Sequence, residues 1–192
     1  MEIVEELMIV AGISLNIFAV MECQGSLVAK IEKKYLALMC LILMAGQALA
    51  LGTGTSISAL LYHYRRTGDD AFLEKVLAAG ILLCLGIRFL LKAWRNERII
   101  ERRKEEFDMQ EFLHLCIRNF MFSLLVGIVF GFMGGRIMQI LLITVIMTAG
   151  VTILGMYTGY RLGFEHKVKA YLCGGVLLIM AGVDVIARYI EF

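Results

Sequence analysis

The sequence predicts an all-α, polytopic membrane protein with six transmembrane helices arranged as two inverted three-helix repeats. The chain of 192 residues is 60% hydrophobic and only 19% charged, whereas soluble domains have about 45–50% apolar and about 25% charged residues. The apolar residues are concentrated in six runs, each long enough for the roughly 20 residues that a helix needs to cross a bilayer. Runs one to three also resemble runs four to six in sequence.

The six apolar runs follow one another along nearly the whole chain. Their ranges are Leu7–Val28, Tyr35–Tyr64, Val76–Trp94, Phe112–Gly135, Ile137–Tyr160 and Ala170–Tyr189. Because a membrane-spanning β-strand would need only about 10 residues of alternating polarity, these continuous runs predict helices. The second run is long for a single span. Since the chain contains no proline, we expect either a break at the glycines of Gly52–Thr55 or an extension beyond the membrane.

Basic residues are unevenly distributed between the two sets of connections. Eleven follow helices one, three and five: Lys30, Lys33, Lys34, Arg95, Arg98, Arg102, Arg103, Lys104, Arg161, Lys167 and Lys169. Five lie on the other side: Arg65, Arg66, Lys75, Arg136 and Arg188. Since cytoplasmic loops carry the excess of basic residues, both termini are predicted to lie outside. The chain then divides into a first repeat (1–94), a charged cytoplasmic loop (95–111) and a second repeat (112–192). The loop is either a solvated linker or a short surface helix.

The internal repeat is clearest between the third and sixth runs. LAAGILLCLGIRFLLKAW (77–94) resembles LCGGVLLIMAGVDVIARY (172–189), with Gly80 aligned to Gly175 and Gly86 to Gly182 after a one-residue slip. An odd number of spans in each copy forces the copies into opposite orientations. Secondary transporters built in this way bind their substrate at the repeat interface, near the middle of the membrane.

Two runs contain glycines at every fourth position. These glycines are Gly127, Gly131 and Gly135 in the fourth run, and Gly155, Gly159 and Gly163 in the fifth. Small residues one turn apart allow two helix backbones to approach closely. The spacing predicts tight packing within the chain or, alternatively, a homodimer face on helices four and five.

Polar and ionisable residues inside the membrane are costly and are candidates for function. Here they are Asn16, Glu22, Gln47, Arg88, Arg118, Asn119 and Asp184. Asn16 and Asn119 occupy similar places in the two repeats. The oxygens of Asn16, Gln47 and Asn119 could ligate a hard divalent cation, but such amides are also common in interhelical hydrogen bonds. Glu22 points about 120° away from Asn16 around the helix, so it is not a simple co-ligand.

Arg88 and Asp184 each follow an aligned glycine by two residues. Their equivalent positions predict an ion pair between helices three and six. The alternative is that each side chain reaches the nearer membrane interface independently.

Other function classes find little support. The net charge of +2 is too small to indicate nucleic-acid binding, and the three histidines have no partners at zinc-ligand spacing. No nucleophile–base pair, phosphate loop or dinucleotide motif is present, so we expect no enzyme activity and no resident cofactor.

The motifs resemble those of the MntP-type manganese efflux pumps, bacterial inner-membrane proteins of six helices in two repeats. GISLNIFAV (12–20) resembles the helix-one motif of that family, G-x-S-h-D-A-F-A, with Asn16 at the aspartate position. LGIRFLLKAW, which contains Arg88, and LGMYTGYRLG followed by KAYLCGGVLLIMAGV resemble its later helices. Gln47 stands near an expected acidic residue, and either Asn119 or Phe122 stands at a second expected aspartate.

The resemblance implies export of a divalent cation such as Mn²⁺ by alternating access, coupled to the proton gradient or membrane potential. The ion site would lie between helices one and four, with two and five flanking it. Asn16, Gln47 and Asn119 would be its ligands or would orient them, and Glu22 would lie on the ion pathway. Arg88 and Asp184 would form a structural or gating pair. Without the expected carboxylates, three alternatives stay open: charge relocated to Glu22 and Asp184, a different small solute, or a non-transporting scaffold or regulator.

Overall fold

The fold was analysed in a computed structural model, which describes residues 3–28, 31–64, 70–95, 109–134, 136–163 and 166–190. These residues form six helices: α1 (Ile3–Leu27), α2 (Lys33–Tyr64), α3 (Asp70–Arg95), α4 (Met109–Phe132), α5 (Ile137–Leu162) and α6 (His166–Ile190). All six are long and apolar enough to cross a membrane. The predicted all-α class with six spans is therefore confirmed. The charged loop predicted as a linker or surface helix lies almost entirely outside the described residues.

Several helices extend beyond the predicted apolar runs. α3 begins at Asp70 and α6 at His166, four or more residues before the runs that predicted them. The added turns carry charged side chains such as Glu74 and Lys167. Hydropathy marks only the part of a helix that lies in hydrocarbon, whereas the backbone hydrogen bonds continue into the interface.

α2 is continuous through its glycine–threonine stretch, so of the two alternatives for this long run, the break at Gly52–Thr55 is wrong. The Thr53 hydroxyl donates to the Leu49 carbonyl oxygen at 2.7 Å, and the Ser56 hydroxyl donates to the Gly52 oxygen at 2.8 Å. Backbone groups in hydrocarbon must be hydrogen-bonded within the segment. An unbroken helix meets that requirement, and glycine in a helix interior costs only about 1 kcal/mol relative to alanine.

Helices of the first half pack mainly on helices of the second half. α1 lies parallel to α5, and α2 lies parallel to α4. A Cβ added at Gly155 would lie 2.8 Å from the Phe18 carbonyl oxygen, and one added at Gly127 would lie 2.8 Å from that of Leu51. The glycines spaced four residues apart on α4 and α5 therefore allow close backbone contacts within one chain. Gly163 instead ends α5 with a φ of 73°, and Gly135 lies outside the described residues.

The remaining large contact joins α3 to α6, and α6 also packs on α1. α3 and α6 are antiparallel: a Cβ at Gly175 would lie 3.0 Å from the Gly86 oxygen, and one at Gly182 would lie 3.3 Å from the Ala79 oxygen. The inverted repeat stays a prediction. Large apolar side chains cover the outside of the bundle, as expected for a surface in contact with lipid.

Candidate functional site

Two asparagines meet in the middle of the bundle. The Asn16 Nδ2 group on α1 donates to the Asn119 Oδ1 atom on α4 at 2.9 Å, joining residues 103 positions apart in the chain. Both side chains are buried, with exposed fractions of 2% and 6%. Each lies near the centre of its helix, so the contact lies near the middle of the predicted membrane span.

The amide pair leaves hydrogen-bonding capacity unused. The Asn16 Oδ1 atom is buried and has no hydrogen-bond partner, and neither amide atom of Gln47 has one, although Gln47 is only 1% exposed. Buried polar atoms without partners are rare, because each one loses its hydrogen bonds to water without replacement. These amides therefore keep buried oxygen atoms without a hydrogen-bond partner in the protein.

The packing of α2 on α4 fixes the height of Gln47. Gly127 lies against Leu51, and because the two helices are parallel, Gln47 lies level with Ser123. Asn119 is one turn before Ser123 on α4. Leu43 and Asn119 line the same narrow gap between helices, which agrees with this register because Leu43 is one turn before Gln47 on α2.

Two further buried hydroxyl residues, on α5 and α1, were missed in the sequence analysis. The Oγ1 atom of Thr148 on α5 and the Oγ atom of Ser14 on α1 are also buried without partners. The hydroxyls of Thr144 and Thr152 both donate to the carbonyl oxygen four residues earlier. Of these three threonines spaced four residues apart on α5, Thr148 alone keeps a hydroxyl without a partner. The spacing of four between these threonines in an apolar run was the signal that could have identified the polar face of α5.

Glu22 lies in a different environment from Asn16. Its Oε1 atom accepts a hydrogen bond from the His166 backbone N–H at 3.0 Å and lies 3.6 Å from the His166 Nδ1 atom. His166 is the first residue of α6, where backbone amides lack partners within the helix and favour negative charge. Glu22 is completely buried and is about 9 Å along the helix axis from Asn16. It therefore holds the start of α6, away from the amide pair.

The predicted pair of Arg88 and Asp184 is not formed, and this expectation is corrected. The Asp184 Oδ2 atom lies 3.2 Å from Arg188 Nε, which is also 3.1 Å from the Oε1 atom of Glu5. The Arg88 guanidinium carbon instead lies 4.7 Å from the centroid of the Phe122 ring.

The physical reason is the antiparallel packing of α3 and α6. Arg88 lies beyond Gly86, toward the start of α6, whereas Asp184 lies toward the start of α3. The two residues are separated by roughly 15 Å along the axes. Equivalent positions of oppositely oriented helices can meet only near their crossing point, and neither residue lies there.

The central arrangement provides neutral oxygen donors from α1, α2, α4 and α5. Within the described parts of the chain, no group of three His, Cys, Asp or Glu side chains is close enough to hold a metal ion. Amide and hydroxyl oxygens suit hard cations such as Mn²⁺ and Mg²⁺. They supply dipoles without the charge that usually offsets the dehydration of a divalent ion.

Comparisons with known proteins point to one family. A family model described as "Putative manganese efflux pump" matches residues 30–186, starting after α1. Relatives described as "Putative manganese efflux pump MntP" include one from Mannheimia succiniciproducens, 24% identical over 94% of both chains. Another from Bifidobacterium longum subsp. infantis is 24% identical over 98% of this chain and 95% of its own. A third, from Acetivibrio thermocellus, is 25% identical over 97% of this chain and 91% of its own. No solved structure gives a significant match.

Proposed function

Because this chain belongs to the manganese efflux pump family, we propose that it exports a divalent cation, Mn²⁺ as the first candidate, from the bacterial cytoplasm. Relatives that carry the same description align with nearly the whole chain, including the helix that the family model does not match. The proposal places the protein in the inner membrane with both termini outside and includes no enzymatic step.

The observation that carries the proposal is the contact between Asn16 and Asn119. It is a polar connection between α1 and α4 in the middle of an apolar bundle, and transporters built from inverted repeats, as the sequence predicts for this chain, bind their substrate in such a position. A cation bound here would be coordinated by the oxygen atoms of Asn16 and Asn119, with Gln47 one turn away. The Asn16 oxygen has no protein partner, and the Asn119 oxygen accepts one hydrogen bond, so a cation would use the second lone pair of the Asn119 oxygen or compete with that contact.

The structure favours Asn119 over Phe122 as the counterpart of the second family aspartate. Asn119 faces Asn16, whereas the Phe122 ring packs on the Phe89 ring with centroids 5.5 Å apart. Thr148 and Ser14 add hydroxyl groups that could support a cation or the water molecules that accompany it. Glu22 places a carboxylate between this site and the end of the bundle where α6 begins, on the predicted cytoplasmic side.

A second candidate function is export of a less highly charged solute, such as a monovalent cation or a zwitterion. It is favoured by the purely neutral donor set of the central site. Two unit charges 4 Å apart interact by about 4 kcal/mol at an effective dielectric constant of 20. The absence of carboxylates from the site therefore weakens the binding of a divalent cation more than the binding of a monovalent cation.

One set of variants tests both functions. The native chain, Asn16→Asp, Gln47→Glu and the control Gln139→Glu are expressed in a bacterium that lacks its manganese exporter. The control makes the same amide-to-acid change at an exposed position of α5. Growth in manganese is measured together with manganese accumulation in inverted membrane vesicles, and protein levels are compared by immunoblot.

Rescue by the native chain is the expected result and would support manganese export. Rescue only by the acidic variants would support the second candidate, because it would identify a site whose charge limits divalent binding. If no well-expressed version restores growth or vesicle uptake, manganese export is wrong.

A further inference from the structure

A cavity of about 450 Å³ lies between α3, α4 and α6, at the end of the bundle where α3 ends and the other two begin. All of its charged lining residues are basic: Arg88, Lys92, Arg95, Arg118 and Lys167. Leu91 and Phe122 complete the lining. Among the residues that the structure describes, no carboxylate lines this cavity, which we call the basic cavity.

Aromatic rings hold two of the cations at the wall. The Arg88 guanidinium carbon lies 4.7 Å from the Phe122 ring centroid, and Lys92 Nζ lies 4.2 Å from the Tyr171 centroid. Phe89 contacts both rings edge-on. Cations over ring faces are attracted by the negative face of the ring. These contacts keep Arg88 and Lys92 beside the cavity without neutralising either charge.

Among the described residues, four of the five cations of the basic cavity have no ion-pair partner. These four are Arg88, Lys92, Arg95 and Arg118. Like charges that share a partly enclosed space repel one another more strongly than charges spread over a surface in water. The excess of basic residues on the cytoplasmic side explains why cations occur at this end. It does not explain why they converge on one cavity, since Arg161, at the same end, is exposed and outside it.

We propose that the basic cavity binds a phosphate-bearing anion, with the headgroup of an anionic phospholipid as the first source. Guanidinium and ammonium groups bind phosphate oxygens through charge-assisted hydrogen bonds. Basic pockets between transmembrane helices on the cytoplasmic side are a known form of headgroup recognition. Leu91 lines the cavity and is 59% exposed on the outside of the bundle, so the rim of the cavity is continuous with the lipid-facing surface.

The position of the only tryptophan provides a direct assay. Trp94 precedes Arg95 in the sequence and is 89% exposed, so its fluorescence is quenched by brominated lipids that lie around this end of α3. The full-length protein is reconstituted in bilayers of brominated phosphatidylcholine or brominated phosphatidylglycerol. The ratio of quenching by the two lipids reports the preference for the anionic headgroup.

We expect the native protein to prefer the anionic lipid, and the variants Arg118→Gln and Lys92→Gln to weaken that preference. Each basic residue near an anionic membrane surface contributes a factor of about five in binding, so each substitution should lower the relative affinity by roughly that factor. Arg161→Gln removes an exposed arginine from the same end but outside the cavity, and should leave the ratio unchanged. Arg118 is exposed, so its substitution tests the cavity without disturbing the core.

A second arm separates lipid from soluble phosphate. In zwitterionic bilayers, Trp94 emission is titrated with inorganic phosphate for the native protein and for Arg118→Gln. A phosphate-dependent change that the variant loses, without any preference for anionic lipid, would support the phosphate site and assign it to a soluble source. If the native protein has no lipid preference and no phosphate response, or if the variants behave like the native chain, the proposal is wrong.

Discussion

The close approach of α5 to α1 leads to a prediction that distinguishes the steric role of Gly155 from the effect of glycine on helix propensity. Gly155→Ala would place a Cβ 2.8 Å from the Phe18 carbonyl oxygen, whereas ordinary van der Waals contact begins at 3.4 Å. The shortfall is 3.4 − 2.8 = 0.6 Å, and the obstructing atom belongs to backbone, so α1 and α5 must separate. Gly150→Ala is the matched control on the same helix, because a Cβ there meets nothing within 4 Å.

The size of the effect follows from two opposing terms. Alanine gains about 1 kcal/mol over glycine in a helix, and Gly150→Ala should realise part of that gain. Forcing extra volume into a packed contact costs about 1–3 kcal/mol, so Gly155→Ala should be less stable than its control by roughly 1–3 kcal/mol. For a chain of this size, about 1 kcal/mol shifts Tm by roughly 2–4 °C.

The measurement is thermal unfolding of both purified variants in the same detergent. We expect Gly155→Ala to unfold at a temperature roughly 2–12 °C below that of Gly150→Ala. Equal Tm values for the two variants would refute the backbone contact between α1 and α5.

Three further predictions concern the polar residues. Asn16→Leu should lower the free energy of unfolding by about 1–3 kcal/mol, because it leaves the buried Asn119 oxygen unpaired. A double-mutant cycle on Asn16 and Asn119 should give a coupling energy of about 0.6 kcal/mol, and additive effects of the two single changes would contradict the hydrogen bond. Glu22→Gln should reduce Tm, because a neutral side chain loses the favourable interaction with the positive end of α6. That interaction contributes about 0.3–1 kcal/mol, or somewhat more in a buried position. The test is whether Glu22→Asp, which keeps the charge, retains more stability than Glu22→Gln. Asp184→Asn should change stability by less than about 1 kcal/mol, because exposed pairs contribute little and Arg188 keeps a second carboxylate; a large loss on unfolding in detergent would show that the pair matters more than its exposure indicates.

The sequence predicted the elements of the site better than their arrangement. The apolar runs identified all six helices, and the cost of placing polar groups in hydrocarbon identified Asn16, Gln47 and Asn119. The helical period also separated Glu22 from Asn16, and the two side chains do face different helices. The same reasoning overlooked Thr148, because threonine commonly hydrogen-bonds to its own helix and only the structure reveals that this hydroxyl has no partner.

What the sequence by itself determined are properties that depend on neighbouring residues along the chain: helix identity, span length, glycine spacing and the absence of carboxylates from a recognisable motif. Tertiary structure alone decided which helix each glycine line approaches, and it brought Asn16 to Asn119 while holding Arg88 far from Asp184. The physical reason is that periodicity fixes which face a residue occupies, whereas the partner of that face depends on the register of helices distant in the chain. When two helices run in opposite directions, equivalent residues near the middle of each helix lie level with each other. Equivalent residues near the ends lie on opposite sides of the membrane.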